Sequence, residues 1–315
     1  MAGETPRCWI CGGEATTREH KTKRSDLKSA FGVPTQSQPL YYHDARRQNQ
    51  LIRSLNADIL KSPSRICADC NNARTQPHDL AWAFMSVWLR ERNPKMRVGD
   101  VIRANRIFPS GTTEEMKNVH LFFLKQFGGL ILESAGQIAI DVKPFANAII
   151  NGRPHPNVYL QFGIGPFVNG KPVTGRSDFK GLRLASGACV LGMWFYQVDG
   201  LTVTLIYADP NEPWRNLHLA WHPLRNRNRF VLADYASGVE AAEILDDDAE
   251  QAPFYSAITS TYRFLVSSFR VRQSFQDVET YGSCKTSLAY SRVSTFLGRP
   301  RRFGAARRPF SQARQ

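Results

Sequence analysis

The chain has no apolar run long enough to cross a bilayer. Its most apolar stretches, LFFLKQFGGLILES and ACVLGMWFYQV, are too short or too interrupted. The opening MAGETPRCWI lacks the basic-then-apolar pattern of a secretory signal. These two absences predict a cytoplasmic protein with no membrane partner, in which thiols stay reduced. No internal repeat is visible, which excludes a solenoid. Acidic residues are in deficit: 27 Asp and Glu face 41 Lys and Arg, a net charge of +14 over 315 residues. Such a field favours polyanions, meaning nucleic acid or an anionic membrane surface. Cysteine is also scarce, but four of the six fall into two Cys-x-x-Cys pairs, CWIC and CADC.

The length suits two domains, and the pattern of elements predicts an α+β fold. A small domain spans residues 1–95 and closes on the helix DLAWAFMSVWLRER, where Leu80, Phe84, Met85 and Trp88 recur at helical spacing as its buried face and Pro94 marks the stop. A larger mixed α+β domain with an antiparallel sheet spans 98–235. Its helix TTEEMKNVHLFFLKQFGG runs from a Thr112–Glu115 capping box to an end at Gly128-Gly129. Strands follow in QIAIDV, NVYLQFGI and the two runs of VLGMWFYQVDGLTVTLIYA, joined by an Asp-Gly hairpin signal. Residues 236–297 hold the acidic linker DDDAEQAP and further elements. Residues 298–315, Arg-rich and without acid, read as a disordered basic tail.

Cys8, Cys11, Cys67 and Cys70 are suited to a structural zinc. Each pair places two thiolates on one ion through a tight turn, and two distant pairs complete a tetrahedron. No thioredoxin-like βαβ pattern surrounds either pair, which argues against redox work. Other signals read as packing. Cys189 lies in an apolar strand, the aromatic run Trp194, Phe195 and Tyr196 reads as a core strand, and His218 with His222 lacks the glutamate of a zincin motif.

Around the cysteines stand Glu19-His20 and, directly after Cys70, Asn71. Cys-x-x-Cys, acidic-His, then Cys-x-x-Cys-Asn before a helix resembles the HNH endonucleases. The likeness covers roughly the first ninety residues. It implies a small zinc-stapled ββα-metal nuclease domain that hydrolyses DNA phosphodiesters to a 5′-phosphate and 3′-hydroxyl. His20 takes the role of general base, while Glu19 and Asn71 hold a divalent cation, Mg2+ or another. His78 is a candidate further metal ligand, although Pro77 would start the regular helix only near His78 and make it an ordinary first-turn residue. The asparagine that orients the loop behind the histidine is Asn49, before the strand-like QLIRSL, or Asn56. Chemistry supports the set independently: an imidazole accepts a proton from water near neutral pH, and carboxylate and amide oxygens suit a hard cation.

Basic clusters supply the expected grip on duplex DNA: Lys21, Lys23 and Arg24 behind the histidine, Arg46 and Arg47 in the long insertion before Cys67, and Arg74 after the second pair. Two other readings stand beside the nuclease. One is a zinc-binding module that only holds nucleic acid; the other is a nuclease effector gated by a sensor or partner-binding second domain.

Overall fold

The computed structural model of the chain describes residues 6–44, 47–134, 136, 138–165, 173–177, 179–183, 188–209, 217, 220–225, 228–234 and 293–297. It is an α+β structure with antiparallel sheets. The cysteine pairs meet because a short sheet lies between them. Strand β1 (Thr17–His20) runs antiparallel to β4 (Lys61–Ile66), with Thr17 opposite Ile66, Arg18 opposite Arg65 and His20 opposite Lys61. Glu19 is therefore faced by Ser62, Pro63 and Ser64, a bulge at the proline, which has no N–H to donate to the ladder. Past β4 the backbone widens into a π-helical turn at Cys70–Arg74 and continues as α2 (Gln76–Arg92), with Pro77 in its first turn. Regular helix thus begins two residues before the position expected from Pro77.

The insertion before Cys67 is structural. It forms α1 (Arg24–Phe31), β2 (Leu40–His43) and β3 (Gln50–Ile52). The last two extend the main sheet, whose order is β12 (Ala233–Asp234), β6 (Val158–Ile164), β10 (Leu201–Ala208), β9 (Cys189–Val198), β7 (Val173–Ser177), β13 (Val293–Leu297), β2, β3; β8 (Lys180–Arg183) also pairs with β9. The β9–β10 hairpin turns at Asp199-Gly200 as expected. Both residues have positive φ, 47° and 78°, as a two-residue turn between twisted strands requires. A separate ribbon pairs β5 (Val101–Arg103) with β11 (Arg229–Val231), and α3 (Ala104–Ile107) follows β5.

The core is organised around α4 (Thr112–Glu133), buried at Met116 and from Asn118 to Ile131. The helix packs on α2 and on the inner side chains of β6, β9 and β10, with Trp82 stacked on Phe122 and Phe127 near Trp194. This helix does not stop at Gly128-Gly129. The indole of Trp9, from the first cysteine turn, lies where a side chain on residue 128 would be, so the glycines admit a neighbour instead of ending the helix. One hydrophobic core accordingly contains Cys8, Ile10, Ile66, Cys70 and Trp82 together with Phe122, Phe127, Leu160 and Trp194. This core draws residues from both sides of positions 95–98.

Two further expectations change. The buried stripe of α2 is His78, Ala81, Trp82, Met85, Ser86 and Leu89, whereas Leu80 and Phe84 are 62% and 54% exposed. Helix rotation follows Asp26, buried on α1, which accepts hydrogen bonds from Trp82 Nε1 (2.7 Å) and Tyr196 Oη (2.8 Å), and shares the Ser86 Oγ proton (3.4 Å) with the closer Ala83 carbonyl (3.1 Å). A buried carboxylate must be satisfied, and that need outweighs the burial of one more Leu or Phe. QIAIDV does not form a strand in its described part. Ile138 and Ile140 are buried in an irregular lead-in to α5 (Lys143–Ile150), a helix the sequence reading missed. The acidic linker and the basic tail lie outside the described residues.

Candidate active site and metal centre

Gly12, with φ of 74°, closes the first cysteine turn. Its amide donates to Cys8 O, while the Cys8 amide donates to Gly13 O. The four sulfurs of Cys8, Cys11, Cys67 and Cys70 lie within 4.8 Å of one another, Cys11 and Cys67 at 3.6 Å. Zinc–sulfur bonds of about 2.3 Å in a tetrahedron require sulfurs about 3.8 Å apart, so the set fits one zinc ion. The Gly13 backbone amide brings the Cys11 thiol down to about 7, whereas burial raises Cys67 and Cys70. These two thiols therefore favour the protonated form until a cation draws them to thiolates. Among the described residues no other group of three or more His, Cys, Asp or Glu side chains is close enough to share an ion.

Beyond this cage the side chains of β1 diverge. Thr17 and Glu19 face the segment after Cys70, and Arg18 and His20 face the opposite side, as alternation on a strand demands. His20 Nε2 is 2.9 Å from the Leu55 carbonyl, which can only accept, so Nε2 carries the proton and Nδ1 is the basic atom of the ring. Burial lowers the proton affinity of this imidazole and favours its neutral form. The residue after that carbonyl is Asn56, which is exposed and whose amide bonds Ser54 Oγ. Asn49 instead leads into β3, with φ of 55°, and its amide donates to His43 Nδ1. The loop behind His20 is the one carrying Asn56.

Asn71 is oriented by a chain of donors. The Thr17 hydroxyl gives its only proton to Ile66 O (2.8 Å), so it can only accept from Asn71 Nδ2 (3.1 Å), leaving Asn71 Oδ1 without a hydrogen bond among the described residues. Glu19 meets a residue that the sequence reading did not name. Lys125 Nζ, on α4, lies 3.1 Å from Glu19 Oε2, 2.8 Å from Asp79 Oδ2 and 3.2 Å from Thr75 Oγ1, with its side chain 1% exposed. Burial disfavours this ammonium, but Glu19 and Asp79 more than offset that, and its pKa is raised. The available signal was a lone lysine inside the apolar run LFFLKQF. The cleft beside these groups is lined by Trp9, Glu19, His20, Lys21, Lys125 and Arg176 among others, and its volume of about 10 Å³ admits one water-sized guest. A larger hollow of about 510 Å³, around Gly111–Glu114, touches none of them.

His78 is buried in the first turn of α2 with Nδ1 unpartnered, and burial, then Lys125, brings its pKa down to about 4. It joins no three-ligand group with Glu19. Several expected DNA contacts are engaged within the chain: Lys21 with Glu133 (3.3 Å), Lys23 with Asp79 (3.2 Å), Arg47 with Asp44 (3.6 Å) and Arg74 with Asp69 (3.4 Å). Arg24 is exposed, and Arg46 lies outside the described residues. Among the signals read as packing, Cys189, Trp194 and Tyr196 are buried, and His222 donates to the His155 carbonyl (3.0 Å). Among the described residues no helix is long and apolar enough to cross a membrane. No family model, curated protein or solved structure matches the chain.

Proposed function

We propose that this protein is a zinc-stapled, metal-dependent endonuclease of the HNH type, acting on DNA. The observation that carries the reading is the fixed tautomer of His20. A carbonyl holds Nε2–H, burial favours the neutral ring, and the basic Nδ1 belongs to a residue adjacent to Glu19. Strand β1, which bears Glu19 and His20, its partner β4, and the π-helical turn that bears Asn71 ahead of α2 stand in the order strand, strand, helix beside the cysteine cage, which supports a ββα-metal arrangement.

In this reading Nδ1 of His20 takes a proton from water as the water oxygen bonds to phosphorus and the ester oxygen departs. Glu19 and Oδ1 of Asn71 supply hard oxygen ligands for a cation such as Mg2+. When bound, such a cation neutralises charge on the phosphate and the leaving oxygen. The net charge of +14 supplies attraction to the polyanion. With Lys21, Lys23, Arg47 and Arg74 in internal ion pairs, close grip falls to other basic groups, Arg24 among them.

Plasmid nicking with Mg2+ or Mn2+ tests the reading. His20→Ala should keep DNA binding and zinc content while cutting falls by roughly 10²- to 10⁴-fold. Cutting at the wild-type rate would remove the nuclease and leave a zinc-binding module that holds nucleic acid.

A further inference from the structure

The buried ammonium of Lys125 lies against a carboxylate that the nuclease reading gives to a metal. Three oxygens surround it: Asp79 Oδ2 and Thr75 Oγ1 accept hydrogen bonds from it, and Glu19 Oε2 lies 3.1 Å away as its ion-pair partner without an aligned hydrogen bond. Thr75 accepts because its own proton goes to Cys70 O (2.8 Å), which ties this cage to the thiol cage. Asp79 is shared, its other oxygen held by Lys23 at 3.2 Å. The ammonium has nowhere to retreat, since the side chain is 1% exposed and grows from the centre of a buried helix. Glu19 Oε1, by contrast, has no hydrogen bond or ion pair among the described residues.

We propose that Lys125 is a positioning residue of this centre: by occupying one oxygen of Glu19 it makes the carboxylate a one-oxygen ligand and sets how tightly a divalent cation is held there. The proposal rests on the reading of Glu19 as a metal ligand. A bidentate carboxylate would draw a cation toward the helix; a carboxylate with one oxygen taken offers a single direction, away from α4. The ammonium also repels a dication one carboxylate's width away. Binding is thereby kept weak and its geometry fixed, in the way that partners behind a ligand tune a metal.

The test is a Mn2+ titration of the zinc-loaded full chain, with free Mn2+ followed by electron paramagnetic resonance. Lys125→Gln removes the charge and releases Oε2, so Mn2+ should bind about tenfold tighter or more. Lys125→Arg, which keeps the charge, should stay within a few-fold of wild type. A residue that merely held the fold would lower stability without tightening metal binding. If Glu19→Gln abolishes Mn2+ binding but Lys125→Gln leaves it unchanged or weaker, the Lys125 proposal is overturned and the nuclease reading survives. If Glu19→Gln leaves wild-type Mn2+ binding untouched, both fall. Should Lys125→Gln fail to fold, the nitrogen-15 resonance of the Lys125 ammonium decides the matter in the wild-type chain. It should shift as Mg2+ is added, and an unmoved signal at saturating Mg2+ overturns the proposal.

Discussion

The thiol cage of Cys8, Cys11, Cys67 and Cys70 and the ammonium cage of Glu19, Thr75, Asp79 and Lys125 flank one stretch of backbone, residues 67–79, yet follow opposite electrostatic plans. Desolvation makes two of the thiols, half-buried Cys67 and buried Cys70, resist ionisation, and an added cation makes the set favourable. The other cage carries its own cation: Lys125 and Lys23 balance Glu19 and Asp79 without help. The difference separates what assembles this region from what adjusts it. Losing zinc should cost the fold, whereas altering the ammonium cage should retune a site in a fold that survives.

Chelating zinc, or Cys67→Ser, should therefore give the largest effect. A loss of several kcal/mol is expected, lowering Tm by about 10 °C or more. Because Cys8 and Cys70 share a core with Phe122 and Leu160, calorimetry should show one transition for the sheet and α4 together. A second, unshifted transition would mark an independent domain beyond residue 98.

Acid should come next. Burial lowers the pKa of His78 to about 4, His155 to about 4 and His120 to about 3, with His222 also lowered. The unfolded chain binds these protons first, so stability is full above pH about 6.5 and falls as pH drops from there toward 4. His78, His120 and His155 should each contribute a loss of up to about 1.4 kcal/mol for every pH unit within that window. Thiol protonation would release zinc in acid too. Urea unfolding with a zinc indicator present separates the two, since His120→Leu should flatten the pH dependence without altering zinc release.

A third polar site sharpens the contrast, because it has no adjacent cation bonded to it. Asp26 is satisfied by the neutral donors of Trp82, Tyr196 and Ser86, and burial raises its pKa. Asp26→Ala strands those donors between α1, α2 and β9 and should cost about 3 kcal/mol in urea unfolding, with zinc content and Mn2+ affinity unchanged. A loss below about 1 kcal/mol would mean the cluster relaxes onto water.

What the sequence made legible divides along the same line. The thiol cage was readable because zinc fixes both ligand type and local spacing, so two Cys-x-x-Cys pairs announce their meeting across fifty residues. The β9–β10 hairpin was readable because Asp199-Gly200 is a local conformational demand. Lys125, Asp79 and the Leu55 carbonyl were not, because their roles depend on α4 and the insertion packing against β1. The face of α2 was misread for a related reason. Apolar spacing favoured Leu80 and Phe84, but the partner that turned the helix was a polar residue fifty-six positions before Trp82, and periodicity carries no trace of it.

The smallest effect concerns the contact that joins the two cages. Trp9 sits between Cys8 and α4, its indole over Gly128 and at the wall of the cleft shared by Glu19 and Lys125. In an ordinary helix interior Gly→Ala stabilises by roughly 0.5–1 kcal/mol, because alanine loses less backbone freedom on folding. At position 128 the new methyl group would overlap the indole, a rigid bicyclic ring that cannot yield as the far end of a flexible side chain would. Overpacking should reverse the sign, for a net loss of about 1–2 kcal/mol. The displaced Trp9 should also strain the turn that holds Cys8 and Cys11, so zinc should leave Gly128→Ala several-fold faster in competition with a chelator. Gly129→Ala is the control. Its nearest neighbour is Ser64 Oγ at 3.5 Å, an ordinary contact, so it should be neutral or slightly stabilising with unchanged zinc release. Equal behaviour of the two variants would show that Trp9 does not couple α4 to the thiol cage, and the two cages would then be neighbours without being partners.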